Sequence, residues 1–248
     1  MAHTFDVSTS LAEATTTPLA LNITTGSGAT LVVLCICDAS TTNTTPPKRI
    51  GGNPTFGGKT MSFVLDSSSA TANSNETWVE MWYIASSSVG TYEISVPNTG
   101  VAKIQLHASS YKAGTGYGSA LDVSVKSAAD SGANPSLAIT PTKTGDVIVG
   151  ILGSGRNAIP SAQTGTYLSS QYVATHSGSA QYYLSATTNA WTAAWTVVTD
   201  DSAIVLGAWK ETYLANQIKA ISGNADATIS KISSTAYSSV LAVSKLGN

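Results

Sequence analysis

The sequence predicts an all-β protein, a jelly-roll-like antiparallel β-sandwich followed by a short C-terminal repeat arm. Three observations carry that expectation. Short apolar-alternating segments recur along the chain between clusters of Gly, Asn, Ser and Pro, which is the spacing of sandwich or barrel strands rather than of alternating βαβ units. Charged residues make up 10% of the 248 positions, against about 25% in an ordinary soluble domain. Ser and Thr take over the polar role: Thr suits a pleated surface and Ser tolerates turns, whereas Lys, Glu and Gln would favour helices.

Strands are expected near residues 4–8, 19–24, 30–38, 59–65, 77–85, 90–96 and 102–111. A second set is expected near 122–126, 136–140, 146–153, 166–174, 180–186, 191–198 and 203–211. Alternation is clearest from Thr77 to Ile84, where Trp78, Glu80, Trp82 and Ile84 share one face and Val79, Met81 and Tyr83 the other. Both faces are largely apolar, so this strand should be central, or one edge of it should meet a neighbour. Leu31–Ile36 and Val147–Leu152 are continuously apolar and also read as central strands. No composition shift marks a linker, so residues 1–212 are expected to be one β-sandwich domain, with 213–248 as the arm. The loops at 38–53, 66–76, 111–119 and 153–165 should gather at the sandwich ends, where binding surfaces arise.

The tail differs. Leu214, Ile218 and Ile221 are spaced i, i+4, i+7, as in a short amphipathic helix beginning near Lys210. Beyond it an 11-residue period sets Ile218/Ile221, Ile229/Ile232 and Val240/Val243 in register. Three helical turns fit that period, while Gly223 and the many Ser, Thr and Asn residues oppose a continuous helix. So small a repeat cannot bury its own apolar pairs, and it should dock on the sandwich or on another subunit.

Charge and chemistry narrow the function. The net charge is −2 and no basic run exceeds Lys48–Arg49, which speaks against nucleic-acid binding, where phosphate contacts supply most of the affinity. No apolar stretch approaches the length of a membrane helix, and Met1–Val7 lacks the basic start and apolar run of a signal peptide. Synthesis in a cytoplasm is therefore expected. Cys35 and Cys37 point to the same strand face and read as two small buried hydrophobes. His3, His107 and His176 are scattered without metal-ligand spacing, so no metal or cofactor is expected, and His107 should be solvated beside Lys103 and Gln105. Glu80 and Glu93 could face each other as a carboxylate pair, but read better as surface residues or as partners of Lys103; Asp200-Asp201 reads as a turn. No catalytic residues are assigned, and a non-enzymatic protein is expected. Trp78/Trp82 and Trp191/Trp195 form same-face pairs that pack a sandwich core or, in the alternative reading, stack on glycans at an exposed site.

Two stretches carry a resemblance. Trp82-Tyr83, then Gly90-Thr-Tyr-Glu-Ile-Ser-Val96, then Gly145-Asp-Val-Ile-Val149 resemble a sandwich family of phage structural and bacterial surface proteins, over roughly residues 15–210. The tail resembles the Ile-Ser-Gly-Val repeats that close many tailed-phage virion proteins. Ile221-Ser222-Gly223 matches, Asn224 replaces the valine, and Ser234 stands where the second copy would have glycine. The resemblance implies a bacteriophage virion component, a capsid decoration or fibre- or tail-associated protein. Its partners would be copies of itself and other virion proteins, joined through Leu214, Ile218, Ile221, Ile229, Ile232, Val240 and Val243. The alternative is a carbohydrate-binding, receptor-recognition module.

Overall fold

A computed structural model describes residues 2–12, 18–40, 50, 52–69, 76–85, 89–97, 104–132, 134–155, 160–173, 176–197 and 200–213. These residues are all β, with no helix among them. The first half of the chain gives β1 (Thr4–Ala12), β2 (Leu19–Thr25), β3 (Ala29–Ser40), β4 (Thr55–Phe56), β5 (Lys59–Thr60), β6 (Ser62–Ser69), β7 (Glu76–Ile84), β8 (Gly90–Val96) and β9 (Gln105–Lys112). The second gives β10 (Tyr117–Gly132), β11 (Ser136–Ile139), β12 (Val147–Ser154), β13 (Ser161–Gln163), β14 (Thr166–Val173), β15 (His176–Leu184), β16 (Trp191–Thr196) and β17 (Asp200–Tyr213). Met1–Thr212 form one compact unit and Tyr213–Asn248 a second; of the second, only Tyr213 is among the described residues.

The strands form sheets ordered β1-β9-β3-β7-β6, β2-β8-β4-β5, β10-β17-β12-β15-β14 and β11-β16-β13. Strands β3, β7 and β12 are central, and each is apolar on both faces. Alternation sends Val32, Leu34 and Ile36 of β3, with Trp78 and Trp82 of β7, into a core completed by Leu19, Leu21, Ile23, Ile94 and Val96 of β2 and β8. The opposite face of the same sheet sends Leu31, Val33, Cys35, Val79 and Met81 against Val147, Val149, Ile151, Val205 and Trp209. The outer face of that second five-stranded sheet carries Ile148, Leu152, Ile204 and Leu206 against Ile139, Ala193 and Trp195. Four β layers thus enclose three apolar cores, two sandwiches stacked through their five-stranded sheets.

The two sandwiches repeat one another. The order β1-β9-β3-β7-β6 recurs as β10-β17-β12-β15-β14, and β2-β8-β4 recurs as β11-β16-β13. Local features recur with it. Leu21 and Ile23 of β2 correspond to Leu137 and Ile139 of β11. The register of β6 on β7 shifts between Phe63 and Leu65, and that of β14 on β15 between Tyr167 and Ser169. At those matching bulges Phe63 and Tyr167 are both exposed. The stacking is reciprocal: β1 lies against β14 as β6 lies against β10, and β3 against β15 as β7 against β12. Tyr111 meets Tyr182 edge-on at 5.7 Å while Trp209 meets Tyr83 at 5.8 Å. Corresponding surfaces facing each other in this way make a two-fold arrangement inside a single chain.

Several sequence expectations need correction. The expected turn at Asp200-Asp201 begins β17, and Asp201 is buried. The helix expected to begin near Lys210 does not start there, because β17 continues to Tyr213. Glu80 and Glu93 cannot pair across a sheet, since β7 and β8 belong to different sheets. Glu80 is buried and accepts a hydrogen bond from Trp82 Nε1 at 2.8 Å. His107 and Gln105 are buried rather than solvated, because both faces of β9 are covered. Cys35 and Cys37 are buried, and the Cys37 thiol donates to the Ser177 carbonyl at 3.8 Å.

Candidate functional site

The densest arrangement of charge sits at the first and last strands of each half. In the first half the register shift between Phe5 and Val7 is a bulge, which re-aims one side chain; the residue at it is Asp6. Its carboxylate is 2.9 Å from Lys112 Nζ and accepts hydrogen bonds from the Gly26 amide at 2.8 Å and the Ser110 hydroxyl at 2.6 Å. A β-carbon at Gly26 would lie 2.6 Å from Asp6 Oδ1, so the carboxylate requires glycine there. Burial pulls the Asp6 pKa up, but Ser110, Gly26 and Lys112 together hold it below its ordinary value.

The second half repeats this group. Lys210 Nζ is 3.0 Å from Asp122 Oδ1, and the Thr142 amide donates to Asp122 Oδ2 at 2.7 Å. Asp122 and Thr142 are 20 residues apart, as are Asp6 and Gly26. The Asp122 side chain is 1% exposed. Against the upward pull of burial, the hydrogen bonds from Thr142 and Lys210 bring its pKa down to about 2.

Ser110, which donates to Asp6, answers to Ala208, and a larger difference lies one residue before β12. Leu31 crosses Tyr111 in the first half and Val147 crosses Trp209 in the second, so the residues just before them, Thr30 and Asp146, occupy matching places. Thr30 accepts a hydrogen bond from the Ala113 amide at 2.9 Å and meets the Ser119 hydroxyl at 3.0 Å. Asp146 is fully buried, and no donor among the described residues reaches either of its oxygens. Burial, then hydrogen bonding with and repulsion by Asp122, push its pKa up to about 7. The strand entry is held by the Ser185 amide on the Asp146 carbonyl at 2.8 Å and the Gly145 amide on the Ser185 carbonyl at 2.7 Å. His3 closes the same seam, donating through Nδ1 to the Gly145 carbonyl at 3.1 Å with Nε2 2.9 Å from Ser119 Oγ. Two carboxyls beside one ammonium, largely shielded from water, can exchange protons and support acid–base or condensation chemistry.

A second polar group lies within the central core. His107 Nδ1 is 2.6 Å from Ser169 Oγ, and burial pushes the His107 pKa down to about 4. Gly178 makes room for it, since a β-carbon there would lie 3.1 Å from His107 Nε2; its cross-strand partner Gly153 makes room instead for Thr77, whose Oγ1 would lie 2.6 Å from a β-carbon. Among the described residues no cluster of His, Cys, Asp and Glu could hold a metal ion, and no helix is long and apolar enough to cross a membrane.

The residues singled out from sequence fall elsewhere. Leu214, Ile218, Ile221, Ile229, Ile232, Val240 and Val243 lie outside the described residues. Trp78 and Trp82 are buried in the first core and Trp195 in the third, so neither pair offers two exposed rings to a sugar. Trp191 is half-buried and stacks on Tyr183 at 5.1 Å and 4°. Sequence reasoning missed Asp6, Lys112, Asp122, Asp146 and Lys210. The signal was an aromatic residue followed by lysine, Tyr111-Lys112 and Trp209-Lys210, at the end of each half.

The architecture defines an all-β protein built from two stacked, internally repeated sandwiches. Comparisons with family models, curated proteins and solved structures found no match.

Proposed function

We propose that the protein is a non-enzymatic structural component of a bacteriophage virion, a capsid-decoration or fibre- or tail-associated protein. It would assemble with copies of itself and with other virion proteins through the arm at 213–248. The observation that carries this reading is the doubled sandwich. Two sandwiches sharing a buried central core make a stiff block, since close-packed interiors transmit load with little compression. A surface with few charges adds little self-repulsion when copies crowd together. We also read each half as a jelly roll, because its first, last and third strands are neighbours in one sheet while the second and next-to-last pair in the other. That architecture recurs in viral capsid and lectin domains. The apolar pairs of the tail supply the adhesive element.

The test is the mass in solution of the full chain and of a 1–212 truncation, by light scattering. The expected result is an oligomer for the full chain and a folded monomer for the truncation. Equal masses for the two would remove the assembly role of the arm.

A further inference from the structure

We propose that Lys210 and Asp122 condense to an intramolecular isopeptide bond, with Asp146 as the proton carrier, and that Lys112 and Asp6 remain an ion pair. The proposal does not rest on the virion role.

The geometry places the reactants in contact. Lys210 Nζ stands 3.0 Å from Asp122 Oδ1, so the amine is held beside the carboxyl whose Cγ it would attack, and the encounter is already intramolecular. Asp122 belongs to β10 and Lys210 to β17, the neighbouring first and last strands of the second half, so both are held by the sheet. In water an ammonium and a carboxylate do not condense, because both charged forms are strongly solvated. Here the carboxylate is 1% exposed and the lysine side chain 35%, and desolvation narrows the gap between the ion pair and the neutral amine and acid.

A carrier must hold a proton near neutrality and reach the Asp122 carboxyl. Asp146 fits: it is fully buried, its carboxyl receives no donor among the described residues, and its pKa is pushed up to about 7 by burial and by Asp122. Lys143 and Lys210 are the cations whose charge opposes that rise. Asp146 first gives its proton to an oxygen of Asp122, and the Asp146 carboxylate so formed takes one from the Lys210 ammonium. The neutral Nζ attacks Asp122 Cγ and the N–Cγ bond forms. A second proton passes from nitrogen through Asp146 to the same oxygen as the Cγ–O bond breaks, and water departs. An ammonium and a carboxylate have become an amide and one water, Asp146 is protonated as at the start, and nothing is oxidised or reduced.

The first half is the internal control. It has the same lysine–aspartate contact, at 2.9 Å, on the matching strands, but the hydroxyl of Thr30 replaces the second carboxyl. A hydroxyl does not exchange protons near neutrality as a carboxyl does, so the route is closed. The covalent tie would also fix β17 just before the chain runs on into residue 213, so tension applied from that side meets it first.

Intact mass spectrometry of the purified full chain, incubated at neutral pH, tests the proposal. The expected mass is lower than that of the sequence by one water. Digestion should release a branched peptide joining the Lys210 and Asp122 segments, which is read on the unaltered protein and does not depend on any variant folding. Lys210→Arg and Asp146→Ala should each keep their full sequence mass, and Lys112→Arg should still lack one water. A wild-type chain at full mass would overturn the proposal. So would a water loss that survives in Lys210→Arg, the mark of a cyclic imide at an aspartate, or a branch through Lys112. A loss that survives in Asp146→Ala would overturn the role given to Asp146.

Discussion

Replacing Trp209 with alanine should lower the unfolding free energy of the protein by about 3–5 kcal/mol, the usual cost of removing a large aromatic ring from a closed core. Trp209 is completely buried. It stands on a strand of the second half yet meets Tyr83 of the first at 5.8 Å. The same strand leaves room for it two residues earlier. A β-carbon at Gly207 would lie 2.7 Å from the Trp209 ring and 3.0 Å from Met81 Sδ, so a side chain there would collide with both halves. Because the ring belongs to the layer that joins the sandwiches, its loss should also weaken their coupling. Urea unfolding, followed by near-ultraviolet dichroism and by amide exchange, reads both effects. Trp82→Ala, which opens only the outer core of the first half, is the comparison. A loss below about 1 kcal/mol for Trp209→Ala would mean that the ring does not occupy a closed core.

Much of this architecture was legible because β-structure writes its faces into sequence with a period of two. The double-sided apolar runs at Leu31–Ile36 and Val147–Leu152 identified central strands, and the alternation from Trp78 to Ile84 gave its two faces correctly. The stacking of two sandwiches was harder to see. A strand apolar on both faces needs a layer on each side, and three such strands in one chain already require more than two layers. The duplication hid because it is conserved in positions rather than in residues. Tyr111 answers to Trp209 and Met81 to Ala180, so side-chain volumes trade across the repeat while the strand order stays fixed. His107 misled for a related reason. A histidine between Leu106 and Ala108 looks like the wet face of a half-buried strand, and only the second sheet stacked above it makes that face dry. Asp146 carries no local signal, because its burial depends on residues from β10 and β17 that are far away in sequence.

His107 also sets the expected response to acid. Its pKa falls from 6.5 in the unfolded chain to about 4 in the folded one, because burial disfavours the charged ring. The group therefore costs no stability above pH 6.5, where both states are neutral. Between pH 6.5 and about 4 the unfolded chain takes up the proton and the folded one does not, so stability falls as pH falls; below about 4 the loss is constant. The gap corresponds to about 3 kcal/mol at 1.36 kcal/mol per pH unit. Asp146 works in the opposite sense. Its folded pKa of about 7 lies above the ordinary 3.8, so its contribution grows as pH falls from about 7 towards 3.8. Asp122, held at about 2 before any bond to Lys210 forms, contributes above 3.8 and loses that contribution only below it. The contribution of His107 is isolated by comparing the protein with His107→Val, which installs the residue that the second half carries at the matching place, Val205. Between pH 6.5 and 4 the wild type should lose about 3 kcal/mol more than the variant, measured by urea unfolding at each pH. Equal losses in the two proteins would mean that the imidazole is reached by water and titrates in the folded state as it does in the unfolded chain.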